Sequence, residues 1–181
     1  MTFGGYDVNV NVNGMPQKVA TAFDEITNTL LGAKYNPIAY LGTQVVNGTN
    51  HAILAEQTII TGVDSKCVVV MVINEKDQGL TLAAIERVLD SGEAFGGTSI
   101  DCKTDIPDEA MTALSNALSS FISGATIKPF AYLGSQLANG MNYYIAAEVS
   151  PLVAGVDNNT SVKLIKVNSK DPKFIEFTDI V

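Results

Sequence analysis

Pro37-Ile38-Ala39-Tyr40-Leu41-Gly42-Thr43-Gln44 returns, lightly altered, as Pro129-Phe130-Ala131-Tyr132-Leu133-Gly134-Ser135-Gln136. The same offset aligns Gly32-Ala33 with Gly124-Ala125, Asn47-Gly48 with Asn139-Gly140, and Ala55-Glu56 with Ala147-Glu148. Between 32–58 and 124–150, 14 of 27 positions are identical, far more than chance produces. Upstream, Phe3-Gly4-Gly5 falls on Phe95-Gly96-Gly97; downstream the second copy is longer, and Val72-Ile73-Asn74 meets Lys166-Val167-Asn168. An internal repeat of this kind decides the architecture before any local propensity does. The 181 residues read as two domains, 1–92 and 93–181, joined by the short polar stretch Asp90-Ser91-Gly92-Glu93-Ala94.

Each copy shows the same order of elements. Val19, Ala22, Phe23, Ile26 and Leu30 form one apolar stripe at helical spacing, and Met111, Leu114, Leu118, Phe121, Ile122 and Ala125 form another. Pro16 and Pro107 suit helix starts, Asp105 is a candidate N-cap, and Gly32 and Gly124 suit helix ends. Four strand-like runs follow in the first copy, Pro37–Val46, Thr49–Ile60, Cys67–Ile73 and Leu80–Leu89. Asn47-Gly48 between the first two is a strong hairpin signal, and Gly62-Val63-Asp64 and Asn74–Gly79 read as further turns. Ala83-Ala84-Ile85-Glu86-Arg87 favours helix locally, but its counterpart Phe174–Val181 is strand-like, so both are read as strands. One helix and one sheet bury their apolar faces against each other most economically. The expected class is α+β: two tandem domains, each with one helix packed on a curved antiparallel sheet of four to five strands.

The net charge of −8, with 11 basic residues and no basic cluster, argues against nucleic acid and anionic membrane as partners. The longest apolar run, Cys67–Ile73, is too short to span a bilayer and suits a buried strand. The N-terminal residues lack the pattern of a signal peptide. The two cysteines, Cys67 and Cys102, lie in different copies at unmatched positions, which fits a reducing, cytoplasmic compartment.

The loop Gln44-Val45-Val46-Asn47-Gly48 matches Gln-x-Val-x-Gly in full, and Thr49-Asn50 follows it. With this motif between two strands, Gly4 and Gly5 upstream of the helix, and the order β-α-β-β-β-β, each copy resembles a cystatin, closest to the disulfide-free stefins. The resemblance implies an inhibitor that fills the cleft of a papain-like cysteine protease with the hairpin and the N-terminal glycines, without chemistry of its own. Gly48 would permit the turn, Val45 and Val46 would supply apolar surface, and Gln44 would sit at the base of the loop. In the second copy the loop reads Gln136-Leu137-Ala138-Asn139-Gly140, with Gly96 and Gly97 upstream. There Ala138 replaces the motif's Val, and Gly96-Gly97 is tethered at both ends. The chain has no Trp, and the turns Asn74–Gly79 and Asn168–Lys173 are charged where a cystatin presents a second apolar loop. The alternative is a non-inhibitory binding or structural module. Exchange of the first strand and helix, or edge pairing, would allow a homodimer.

Other constellations read as structural. His51, the only histidine, aligns with Tyr143 and reads as a sheet residue. Glu56 and Glu148 are matched carboxylates without a second matched acid nearby, and read as solvated strand residues. No spacing of Cys and His suggests zinc, and Gly92–Gly97 lacks a phosphate-loop lysine. No enzymatic activity, metal or cofactor is expected. Asn47-Gly48-Thr49 also forms a glycosylation acceptor triplet, relevant only to a secreted chain.

Overall fold

The computed structural model describes residues 5–60, 62, 65–77, 79–92, 96–120, 124–152 and 160–181. Met1–Asp90 makes up one compact unit and Ser91–Ile180 the other. The first contains β1 (Asp7–Asn11), α1 (Gln17–Thr29), β2 (Ala33–Val46), β3 (Gly48–Ile59), β4 (Ser65–Lys76) and β5 (Gly79–Asp90). The second contains β6 (Thr98–Lys103), α2 (Asp108–Ser120), β7 (Ala125–Ala138), β8 (Gly140–Pro151), β9 (Ser161–Asn168) and β10 (Ile175–Asp179). Each has a five-stranded antiparallel sheet, ordered β1-β2-β3-β4-β5 and β10-β9-β8-β7-β6.

The expected α+β class is corrected by this content. Of the described residues 60% are strand and 16% helix, a mostly β architecture. The reason lies in the apolar patterning. The four strands β2 to β5 run 12 to 14 residues each, against the 13 residues of α1, the one helix among the described residues of that unit. In β4, Cys67, Val69, Met71 and Ile73 share a core with α1, while Val68, Val70 and Val72 on the opposite face are buried as well. A strand buried on both faces reads as an unbroken apolar run rather than an alternating one.

The helix α1 buries Val19, Ala22 and Phe23 with Tyr40, Ile53, Ala55 and Met71. In the second unit Ala110, Ala113, Leu114 and Ala117 bury with Tyr132, Ile145, Ile165 and Val167. Val19 and Ala20 N–H donate to the Pro16 carbonyl, and Met111 N–H donates to that of Pro107. Asp105, three residues before α2, is therefore not its cap. Ala125 opens β7 instead of closing α2. Phe121 and Ile122 of the expected stripe lie outside the described residues, as do Phe3, Gly4, Val63, Asp64, Gln78, Glu93, Ala94 and Phe95.

The two long hairpins have matching irregularities. β2 pairs with β3 from Ala33 opposite Ile59 to Val46 opposite Gly48, with register shifts between Pro37 and Ala39 and between Tyr40 and Gly42. β7 pairs with β8 from Ala125 opposite Pro151 to Ala138 opposite Gly140, with shifts at Pro129/Ala131 and Tyr132/Gly134. Bulges sharpen the twist of a strand pair and re-aim its end.

Candidate functional site at the hairpin tips

The β2–β3 hairpin closes at Asn47. Gly48 there has φ +103°, and a Cβ would collide with the Glu75 carbonyl oxygen. Gly140 repeats the geometry at φ +97°, where a Cβ would press on the side chains of Asn168, Ser169 and Lys170. The torsion favours glycine at both positions, and at Gly48 the Glu75 carbonyl also leaves no space for a Cβ. Next to the glycine, Asn47 and Asn139 are exposed, Val45 is 78% exposed, and Leu137 is 59% exposed. Val46 is half-buried, whereas Ala138 is exposed.

Gln44 does not point out of the loop. Asn50 Nδ2 donates to Gln44 Oε1 at 3.1 Å, and Asn74 Nδ2 donates to Asn50 Oδ1 at 2.7 Å. The three carboxamides form a ladder across β2, β3 and β4, directly beneath the tip. Asn142 Nδ2 donates to Gln136 Oε1 at 3.2 Å, and Asn168 Nδ2 donates to Asn142 Oδ1 at 2.8 Å, so the second unit has the same ladder. Tyr144 Oη donates a second bond to Gln136 Oε1 at 3.0 Å. Such a chain of amides satisfies the buried polar groups and fixes the register at the hairpin's end. Gln44, Val46, Asn50, Asn74, Lys76 and Thr81 line a shallow concavity beside the tip.

The upstream glycines differ between copies. Gly5 is exposed, with nothing near its Cβ position, and Gly4 lies outside the described residues. Gly96 carbonyl accepts a hydrogen bond from Gln136 Nε2 at 2.9 Å. Gly97 approaches Gly92 so closely that a Cβ on Gly97 would collide with the Gly92 carbonyl oxygen. The second segment is thus held against its own hairpin by Gln136 and packed on the preceding backbone at Gly92.

Two groups read from sequence as bland sheet residues have defined partners. His51 is buried, 4% exposed. Its Nδ1 lies 2.9 Å from Tyr40 Oη and its Nε2 lies 3.0 Å from Glu75 Oε2, while Glu75 Oε1 accepts from Lys18 Nζ at 2.6 Å. Tyr40 donating to Nδ1, with Nε2–H donating to Glu75, satisfies every atom. The hydrogen bonds from Lys18 and then His51 hold the Glu75 carboxyl below its usual range. Burial, then the Glu75 charge, pushes the Tyr40 phenol up. Glu56 is also buried instead of solvated, and pairs with Lys66 at 2.9 Å. Burial is likewise the main cause that raises the Cys67 thiol, which donates to Gln57 Oε1 and is a poor nucleophile.

The sequence did not announce the ladder. Its signal is a polar amide on each of three neighbouring strands at one level, visible only once the pairing Gln44–Asn50–Asn74 is known. Among the described residues no cluster of ligating side chains could hold a metal, and no helix is long and apolar enough to cross a membrane. Comparison of the chain with protein-family models, curated proteins and solved structures finds no match.

Proposed function

We propose that the chain is a protein inhibitor of papain-like cysteine proteases that blocks their cleft with its hairpin tips. The observation that carries this reading is the placement of Val45, an apolar side chain left 78% exposed at the tip of a hairpin whose base is locked by amides. A rigid apolar tip loses little conformational entropy on entering a cleft, and burial of Val45 contributes the affinity. The loop residues Gln44 to Gly48, which resemble those of cystatins, point to that class of target. The two cysteines, both unbridged, fit action in a reducing compartment such as the cytoplasm.

One observation favours a second reading, that of a binding module for a more polar partner. Glu75, Lys76 and Lys18 flank the first tip, so its surroundings are charged rather than apolar.

Calorimetric titration of the full chain into papain with its thiol blocked by a small alkyl group tests the inhibitor reading, since shape-based binding survives the block. Val45→Asp is expected to weaken binding by more than tenfold, given about 1.5–3 kcal/mol for burying a side chain of this size. Equal binding by both proteins, or no binding by either, would contradict the assignment.

A further inference from the structure

We propose that Asn47 and Asn139 are built-in sites of spontaneous deamidation, so that each hairpin tip acquires a negative charge with time. The chemistry needs no partner and stands apart from the inhibitor reading; only its consequence for binding rests on that reading.

Six asparagines surround the two tips and fall into two classes. Asn50, Asn74, Asn142 and Asn168 each have the side-chain amide engaged in a ladder. Asn47 and Asn139 are exposed, and no side-chain hydrogen bond involves either of them among the described residues. The residue that follows also differs. His51, Glu75, Tyr143 and Ser169 follow the held asparagines, while glycine follows the two loose ones.

Glycine matters because the reaction is an attack by the next residue's backbone nitrogen. Gly48 N forms a bond to Asn47 Cγ, and the side-chain nitrogen departs as ammonia with the proton lost from Gly48 N–H. The product is a five-membered succinimide. Water then adds to one of its two carbonyls and cleaves one C–N bond. Opening on one side gives Asp; opening on the other gives a β-linked isoaspartate with one more atom in the main chain. Overall, amide and water become carboxylic acid and ammonia, with no change of oxidation state. A side chain on the following residue would shield the attacking nitrogen. The fold selects against such a residue, because the backbone at 48 and 140 is left-handed and a Cβ at 48 would also meet the Glu75 carbonyl. The lability is therefore a consequence of the hairpin geometry, repeated in both units.

Each event adds a negative charge to a chain already at −8, and places a carboxylate beside Val45 or Leu137 at the point meant for an apolar surface. Burying that unpaired carboxylate costs far more than the asparagine did. Deamidation converts a binding tip to a non-binding one.

The test incubates the folded full chain in neutral buffer made with heavy-oxygen water, then maps its peptides by mass spectrometry. Expected is a time-dependent amide-to-acid mass gain with heavy-oxygen label at Asn47 and Asn139, faster than at Asn50, Asn74, Asn142 or Asn168, together with isoaspartate detected by isoaspartyl methyltransferase; Asn13, exposed and followed by Gly14, is the third asparagine expected to label. Native isoelectric focusing should show two successive acidic shifts that the Asn47→Gln/Asn139→Gln variant lacks, beyond any shift that Asn13 gives in both proteins. Label appearing at Asn47 and Asn139 no faster than at Asn50, Asn74, Asn142 or Asn168 would overturn the proposal. Papain binding of Asn47→Asp and Asn139→Asp reports the consequence separately, so loss of the inhibitor reading leaves the mass-spectrometric result intact.

Discussion

At the scale of single residues, Gly48 and His51 show how tightly the first tip is specified. Gly48→Ala would force a Cβ against the Glu75 carbonyl in a left-handed backbone. We expect a loss of about 1–3 kcal/mol, measured as a lowered urea midpoint with unchanged slope. His51 and Lys18 meet on Glu75, whose folded carboxyl titrates lower than an unfolded one. A depressed carboxyl stabilises the fold above the unfolded value, about 4.3, and that stabilisation is lost as pH falls through the folded value. The melting temperature of Glu75→Gln should therefore lie below that of the parent at neutral pH, and the gap should close in acid below the usual Glu range. A gap that persists unchanged in acid would show that the Glu75 charge is not its cause.

At the scale of elements, the ladder and the helix stripe carry different costs. Asn50→Ala removes the middle rung, leaving Gln44 Oε1 and Asn74 Nδ2 without these partners in a partly buried site. The expected cost is about 1–3 kcal/mol, with Asn142→Ala comparable in the second unit. Hydrogen exchange should show loosening confined to the ends of β2, β3 and β4 nearest the tip. Phe23→Ala, at the centre of the α1 contact, should cost about 3–5 kcal/mol by the same urea measurement. The first helix stripe was legible because Val19, Ala22 and Phe23 recur at helical spacing, whereas in the second Met111 is exposed and Ala110, Ala113 and Ala117 bury beside Leu114; the hairpins were legible because Asn-Gly marks their turns. The strand 79–90 overrides its own helix propensity, and only its repeat partner revealed this. The ladder was illegible because its members are 6 and 24 residues apart in sequence and become neighbours only through strand register. The burial of His51 and Glu56 was hidden for the same reason: each polar group is buried with a partner from another strand, and the partner is set by pairing rather than by spacing.

At the scale of the whole molecule, duplication was plain from the repeat, but the balance of helix and strand was not. Counting one helix per copy made an α+β class natural, whereas the lengths of the strands make the chain mostly β. The candidate site was half legible. The loop residues were readable as a motif; which of them face out was not, since Gln44 turns inward and Val45 outward. The two copies also differ in a way sequence alone understated. Leu137 gives the second tip an apolar side chain of its own despite Ala138, while the Gly96–Gly97 segment is held by Gln136. The first tip should therefore dominate and the second contribute. In the full chain Val45→Asp should remove most of the inhibition, Leu137→Asp a smaller part, and the pair of substitutions all of it. Steady-state inhibition of papain by the full chain, with and without these substitutions, is the most direct measurement of the central claim. Reversible inhibition at micromolar concentration or below, abolished when both tips are charged, is the predicted result; a folded, intact chain that leaves papain fully active at micromolar concentration would contradict it.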